Sequence, residues 1–221
     1  MAHAGMRITE FMFAHMQEKI INEGTQTKPA QAKRVATLNK ALSKHSVPYT
    51  IKAVPGKEGD APGGSYYDAS CYGRAAKKLA EKASFYNADN ELDGWLHELW
   101  GTESEWVQQQ GHLWRQWYSV LLIGRALEPT PEQIQSFGPM CRKFFRMTRM
   151  FLPDKKLPYY MHTIACHGGD YMLFLGSLGK YMNEGLEHNH KITWRYWEHS
   201  PRGGAPGTTL RFSSLRVERV T

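Results

Sequence analysis

Cysteine is scarce in this sequence, and long apolar runs are absent. The three cysteines, Cys71, Cys141 and Cys166, are odd in number and form neither a CxxC pair nor a zinc-type spacing, which argues against a disulfide framework and a structural zinc site. No stretch approaches the roughly 18 apolar residues of a membrane helix, and Arg7 and Glu10 interrupt the segment where a signal peptide would be apolar. We therefore expect an intracellular protein in a reducing compartment, without a membrane partner.

Aliphatic residues are also few. Leu, Ile, Val and Phe account for 42 of the 221 residues, or about 19%, a proportion found at the edge of the range for disordered chains. The 7 Trp, 11 Tyr and 10 Met residues supply the missing apolar volume, because these side chains bury large areas and fill irregular gaps. The chain is long enough for one substantial core, and we expect that core to be rich in aromatic residues and methionine.

Helical spacing of the apolar residues predicts a mainly α fold with at most a small amount of strand. The predicted helices cover 6–22, 30–44, 73–84, 103–127, 131–152, 158–182 and 184–197. Thr130 is the predicted N-cap of the fifth helix, with Pro131 at its first position. Gly168 and Gly169 should weaken or bend the sixth helix by roughly 1 kcal/mol each.

Outside the helices, the pattern predicts little regular structure. Only 47–54 and 208–220 have the character of strands, and GKEGDAPGGS at 56–65 is typical of an exposed loop. We therefore divide the chain into a helical region, 1–155, with that loop near 56–65; a helical segment, 156–199; and a C-terminal tail, 200–221.

The formal net charge of +7 is concentrated in particular segments. Residues 131–160 hold six basic and two acidic side chains, whereas 61–130 carry a net charge of −3. The densest basic stretch, RKFFRMTRM, sets phenylalanine and methionine between Arg142, Lys143, Arg146 and Arg149. Such a helix face can follow a phosphate backbone. The alternative interpretation is a solvated face whose phenylalanines belong to the core.

Two clusters of polar residues contain the side chains most suited to chemistry. The first polar cluster is His162, Cys166, His167 and Asp170. Because His162 and Cys166 share one helix face while His167 and Asp170 share another, one helix cannot direct all four at a single metal ion. A buried hydrogen bond between histidine and carboxylate is the interpretation that we favour.

The second polar cluster is Glu184, Glu187, His188 and His190. The two glutamates can project from one side of a helix, and hard divalent cations such as Mg²⁺ bind one or two carboxylates together with substrate phosphate. The two imidazoles, two residues apart, point in different directions, which argues against zinc. No GxSxG motif and no recognisable nucleophilic cysteine accompanies either cluster.

Residues 157–195 resemble the C-terminal part of the transposon-derived DDE transposases of lower eukaryotes. The resemblance is carried by Pro158, Tyr160, Met161, His162, His167, Asp170, Gly176 and Gly185-Leu186-Glu187. Residues 3–11, HAGMRITEF, are also similar to the helix that follows the second catalytic aspartate in such enzymes. Between these two pieces, the helices of 15–155 would correspond to the large helical insertion that this family often carries.

The resemblance implies an RNase H-like fold in which two strand-borne aspartates and a later glutamate hold two divalent ions, Mg²⁺ or Mn²⁺, for phosphoryl transfer. Glu187 matches the family glutamate, and Glu184 is a second candidate metal ligand. His162, His167, Asp170 and His188 would support these ligands. The strands that bear the two aspartates have no counterpart here, and one carboxylate cannot position two ions. We therefore expect no nuclease or strand-transfer activity from this chain alone.

Three functions remain open from the sequence. The first is a transposase-derived fragment, nuclear in location, with weak and salt-sensitive DNA binding and an incomplete metal site. The second is a non-enzymatic helical module that binds a protein partner, its tryptophans and phenylalanines forming a core or a groove. The third is a stand-alone divalent-metal enzyme that uses the two polar clusters together.

Overall fold

The protein is mainly α-helical, as the sequence predicts. The computed structural model describes residues 2–22, 27–51, 53–54, 66–67 and 73–181, which lie in one compact unit, Met1–Met182. The helices are α1 (Ala2–Asn22), α2 (Lys28–Lys44), α3 (Gly73–Glu81), α4 (Trp95–Trp100), α5 (Glu105–Arg125), α6 (Pro131–Phe151) and α7 (Tyr159–Leu175), followed by a 3₁₀ turn, Gly179–Tyr181.

Strand is confined, within these ranges, to two antiparallel pairs of two residues each. β1 (Ala53–Val54) pairs with β2 (Tyr66–Tyr67), and β3 (Phe85–Tyr86) pairs with β4 (Leu92–Asp93). The predicted strand at 47–54 therefore forms only at its end. The segment before it instead runs beside α2, where the Asn39 amide satisfies both backbone groups of Ile51 (Ile51 N to Asn39 Oδ1, 2.8 Å; Asn39 Nδ2 to Ile51 O, 3.0 Å). Three predicted segments lie outside the described residues: the loop at 56–65, the helix at 184–197 and the strand at 208–220. Strands β1 and β2 lie on either side of that loop.

The core is built from aromatic side chains, as the composition predicts. Helix α5 packs against α3, α4 and α6, and α1 packs against α2, α3 and α7. Fully buried rings link these helices: Phe13 meets Trp95 edge to face, Trp95 meets Trp114 in the same way, and Trp117 stacks on Phe144 at 4.9 Å between ring centroids. Edge-to-face and stacked pairs of this kind add to the stabilisation from buried area. The tryptophans thus tie α1 and α6 to α5.

Helix α6 begins at the predicted cap. The Thr130 hydroxyl accepts a hydrogen bond from the Gln133 backbone, and the Gln133 side chain accepts one from the Thr130 backbone, which completes a capping box. The helix ends at Phe151, and its C-cap, Leu152, directly precedes Pro153. A cap of this kind stabilises a helix by about 1 kcal/mol, so the start of α6 is encoded locally.

Helix α7 continues through its two glycines without a break and lies against α6. A Cβ atom added to Gly169 would lie 2.8 Å from the Cα atom of Gly138, which is closer than side chains are found in proteins. The glycines therefore allow the two helix backbones to approach closely. Glycine lowers helix propensity, but only glycine at these positions lets α6 and α7 come this close. Helix α7 ends at Gly176, which has a left-handed conformation (φ 69°).

Candidate nucleic-acid interface

The basic stretch predicted from the sequence forms one exposed face of α6, which we call the α6 cationic face: Arg142, Lys143, Arg146 and Arg149. All four side chains are exposed. The opposite side of the helix is buried through Phe137, Cys141, Phe144 and Thr148. At 1.5 Å of rise per residue, the stripe from the first to the last arginine is about 10 Å long. The four cations point to solvent because α6 buries its apolar side.

The α6 cationic face has no carboxylate partner among the residues that the structure describes. Elsewhere, cations pair with acids: Arg7 with Glu10 at 2.7 Å, Lys78 with Glu81 at 2.8 Å and, on an exposed site, Lys155 with Glu18. None of the four α6 cations makes such a pair within the described ranges. Their charge is thus not neutralised locally, and it is available to an anionic ligand.

The phenylalanines of the same stretch belong to the protein interior. Phe144 is buried and stacks on Trp117, and Phe145 is partly buried against the core. The Arg149 guanidinium lies over the Phe145 ring at 5.9 Å from its centroid, a distance at which cation–π attraction still operates. This ring contact orients one arginine of the face, but the phenylalanines are not free to stack on a base.

Positive charge extends from α6 to the neighbouring helix. Burial, together with the charges of Arg115 and Lys143, lowers the pKa of His112 on α5. His112 is exposed at its surface, and its Nδ1 atom lies 3.1 Å from the Arg115 guanidinium. Lys143 of the α6 cationic face is therefore close enough to α5 for its charge to act on the His112 side chain.

The first polar cluster lies on the solvent side of α7. His162, Cys166, His167 and Asp170 are all exposed. The Cys166 Sγ atom is 3.5 Å from His162 Nδ1, as their shared face predicts, and the rings of His162 and His167 are perpendicular at 6.3 Å. The expectation of a buried hydrogen bond between histidine and carboxylate is wrong, because these side chains are exposed. Helix α7 buries its other side instead, through Met161, Ile164, Ala165, Gly168 and Met172. Among the described residues no group of three His, Cys, Asp or Glu side chains is arranged to hold a metal ion.

The second polar cluster cannot be placed. Glu184, Glu187 and His188 follow Tyr181 and lie outside the described residues. The expectation that Glu187 and Glu184 bind Mg²⁺ or Mn²⁺ therefore stays a prediction.

One polar cluster that the sequence did not indicate lies where the β3–β4 hairpin meets α4 and α5. The Ser84 hydroxyl, which is buried, is 2.8 Å from His97 Nε2 and accepts a hydrogen bond from Arg115 at 2.5 Å. Burial and the Arg115 charge lower the pKa of His97. Ser84 is only 2% exposed, so this cluster holds the hairpin against α5 and offers no surface to a substrate.

Comparisons with known proteins add no assignment. No protein-family model matches the sequence, and no curated protein matches it significantly. Among the described residues, no helix combines the length and the apolar character needed to cross a membrane. The similarity to DDE transposases therefore rests on the residues given above.

Proposed function

We propose that this protein binds nucleic acid through the α6 cationic face and that it derives from a DDE transposase. The observation that carries the binding proposal is a stripe of four exposed cations without carboxylate partners in the described part of the chain. A net charge of +7 favours the approach of a polyanion. The transposase origin is supported only by the sequence patterns of residues 157–195 and 3–11.

The proposal predicts a characteristic dependence on salt. Each phosphate that a cation neutralises releases condensed counterions, so the logarithm of the binding constant falls linearly with the logarithm of the salt concentration. If all four cations contact phosphates of a duplex, the slope is about −3.6, at −0.9 per contact. Binding through phosphates alone carries little sequence information, and we expect weak, largely sequence-independent affinity.

The test is a triple charge reversal with a matched control. In the test variant Arg142, Arg146 and Arg149 are each replaced by Glu. In the control variant Lys33, Lys40 and Arg74, exposed cations of α2 and α3, are replaced in the same way. Both variants change the net charge equally, so a difference between them reports the location of the charge and not its total.

Affinity is measured by fluorescence anisotropy over a series of salt concentrations, after circular dichroism has shown that both variants are folded. The test variant should lose most of its affinity, and its salt slope should become shallower by about 3. The control variant should keep the slope of the unmodified protein. Equal losses in the two variants would contradict the proposal, as would failure of the unmodified protein to bind at low salt.

A protein-interaction function is the second candidate, and one observation favours it. Leu173 and Phe174, consecutive residues near the end of α7, are 61% and 85% exposed. Exposed apolar neighbours of this kind occur at interaction sites. Light scattering on the unmodified protein and on a variant with Phe174→Ser tests whether this surface joins copies of the chain; loss of a dimer in the variant would support it.

The transposase proposal also includes a metal site, which can be tested separately. It requires that Glu187, with Glu184, binds Mg²⁺ or Mn²⁺. Titration calorimetry with MnCl₂ should show binding that Glu187→Ala removes. Absence of binding to the unmodified protein would leave a nucleic-acid-binding chain without a metal site.

A further inference from the structure

Helices α6 and α7 together form one continuous surface beside the cationic stripe. They are joined by the short connection 152–158, which makes them antiparallel neighbours. The contact of Gly138 with Gly169 sets their register. Counting in opposite directions from that contact, Arg146 lies at the level of residue 161 and Arg149 at the level of residue 158. The basic end of α6 is therefore beside the start of α7.

The exposed side chains of the two helices border the same crevice. On α6, Arg142 and Arg149 follow Gly138 by four and eleven residues, which places all three within about 40° of one line along the helix. On α7, His162 precedes Gly169 by seven residues and lies on the corresponding line. Because the two glycines meet, the arginines and the exposed start of α7 open to solvent on the same side.

The surface is too wide to enter the major groove of a duplex. One helix with its side chains is about 10–12 Å in diameter, and packed helices lie about 8–10 Å apart. The pair is therefore about 20 Å across, whereas the major groove is about 12 Å wide. The two helices therefore cannot lie side by side in the groove, and the surface that they share would meet a duplex through its phosphates. Bases of a single strand are free to turn toward the protein.

An aromatic side chain stands at this surface. Tyr159, the first residue of α7, is 76% exposed. Its ring contacts Tyr160 at 6.4 Å, and Tyr160 in turn contacts the ring of His3 on α1 at 5.3 Å. The ring is thus braced from the protein side and open on the other. Asp170, the acidic residue of the exposed α7 face, lies at the level of residue 137, more than one turn beyond Arg142.

From this arrangement we propose that the ligand of the α6 cationic face is a single-stranded polynucleotide, with one base stacked on Tyr159. The inference rests on the proposed function, since it uses the same cations for the phosphates. Exposed aromatic rings next to a cationic track are the usual means of binding single strands without sequence preference. Tyr159 supplies the ring, and the arginines of α6 supply the track.

The experiment compares three labelled ligands of one sequence by fluorescence anisotropy at one salt concentration: single-stranded DNA, single-stranded RNA and duplex DNA. Four proteins are used: the unmodified chain, Tyr159→Ala, Tyr159→Phe and Tyr171→Ala. Tyr171 is a matched control, because it is 54% exposed on the same helix but on another side. Tyr159→Phe keeps the ring and removes only the hydroxyl.

We expect a single strand to bind more tightly than the duplex. The comparison of the two single strands shows whether the ligand is DNA or RNA. Tyr159→Ala should weaken single-strand binding at least about fivefold, the lower end of the range for one stacked base. Tyr159→Phe should restore the affinity, and Tyr171→Ala should not change it. Duplex binding should not respond to Tyr159→Ala.

The two proposals can fail separately. If the duplex binds as tightly as the single strands, or if Tyr159→Ala changes nothing, the single-strand proposal is wrong, while the response to the Arg142, Arg146 and Arg149 reversal still decides the function of α6. If none of the three ligands binds, both proposals are wrong.

Discussion

The neighbouring glycines of α7 should respond oppositely to alanine. A Cβ atom at Gly168 would meet Phe137 Cε1 at 3.4 Å, Ile164 Cγ2 at 3.5 Å and Cys141 Sγ at 3.7 Å, which are ordinary contacts. A Cβ atom at Gly169 would meet a backbone atom, Gly138 Cα, at 2.8 Å. A side chain can rotate away, but a helix backbone cannot move alone.

The magnitudes follow from these distances. Carbon atoms pack at about 3.5 Å or more, so Gly169→Ala must separate α6 from α7 by about 0.7 Å. Overpacking costs about 1–3 kcal/mol, and a clash with a backbone atom falls in the upper half of that range, about 2–3 kcal/mol, because the resulting gap loosens every neighbouring contact of the pair. Alanine regains about 1 kcal/mol of helix propensity. We therefore expect Gly169→Ala to lower the free energy of unfolding by about 1–2 kcal/mol, and Gly168→Ala to raise it by up to about 1 kcal/mol.

Urea and thermal unfolding, followed by helical circular dichroism, would measure both variants. Their midpoint temperatures should differ by about 5–10 °C, at about 2–4 °C per kcal/mol for a chain of this size. Gly138→Ala should fall between them, because its Cβ would lie 3.1 Å from the Gly169 Cα atom. If Gly169→Ala is as stable as Gly168→Ala, the close approach of α6 and α7 is not present, and the register that places Arg149 beside the start of α7 is wrong as well.

Three further predictions concern buried groups. Thr9→Val should lower the free energy of unfolding by about 1–3 kcal/mol, since it leaves a buried tryptophan N–H without an acceptor; Thr37→Val, which removes only an exposed bond to the helix backbone, should be nearly neutral in the same urea titration. Burial lowers the pKa of His97 below the ordinary histidine value of 6.5, so the unfolded chain binds the proton first and stability should fall as the pH drops below 6.5; His97→Gln should flatten that fall, and an unchanged pH profile would contradict the lowered pKa. Burial also raises the pKa of Cys141 to about 12, so iodoacetamide should label Cys166 in the native protein but Cys141 only after denaturation, as peptide mapping by mass spectrometry would show.

Local signals predicted the long helices well. Thr130 is the N-cap of α6 because its hydroxyl and the Gln133 side chain are close in sequence and need no tertiary contact. The short helix α4 and the β3–β4 hairpin were not predicted. Helix α4 has six residues and follows an N-cap glycine, Gly94, with φ 131°. It is held by hydrogen bonds from Trp95 N and Leu96 N to the carbonyls of Lys82 and Ala83. Contacts between distant segments, and not periodicity, produce these elements.

The candidate site was predictable in part. Arginines at helical spacing in 142–149 predict one face, and the structure confirms that this face is exposed. The histidine–carboxylate interpretation of the first polar cluster failed because that interpretation depended on which side of α7 is buried. Helical spacing shows which residues share a face but not which face meets a neighbour. The Ser84–His97–Arg115 cluster joins three separate elements, and no local pattern indicates it.

By itself, the sequence determined the helical class, the aromatic composition of the core and the grouping of cations on α6, because each depends on composition or on the 3.6-residue period. Only the tertiary structure decided what these features do. It placed Gly138 against Gly169, so that two glycines that weaken a helix in isolation allow close packing of two helices. It also left the α6 cations without carboxylate partners in the described part of the chain and left Tyr159 exposed at the start of α7. Packing depends on distances between segments that are far apart in sequence, and these distances are not encoded in any local pattern.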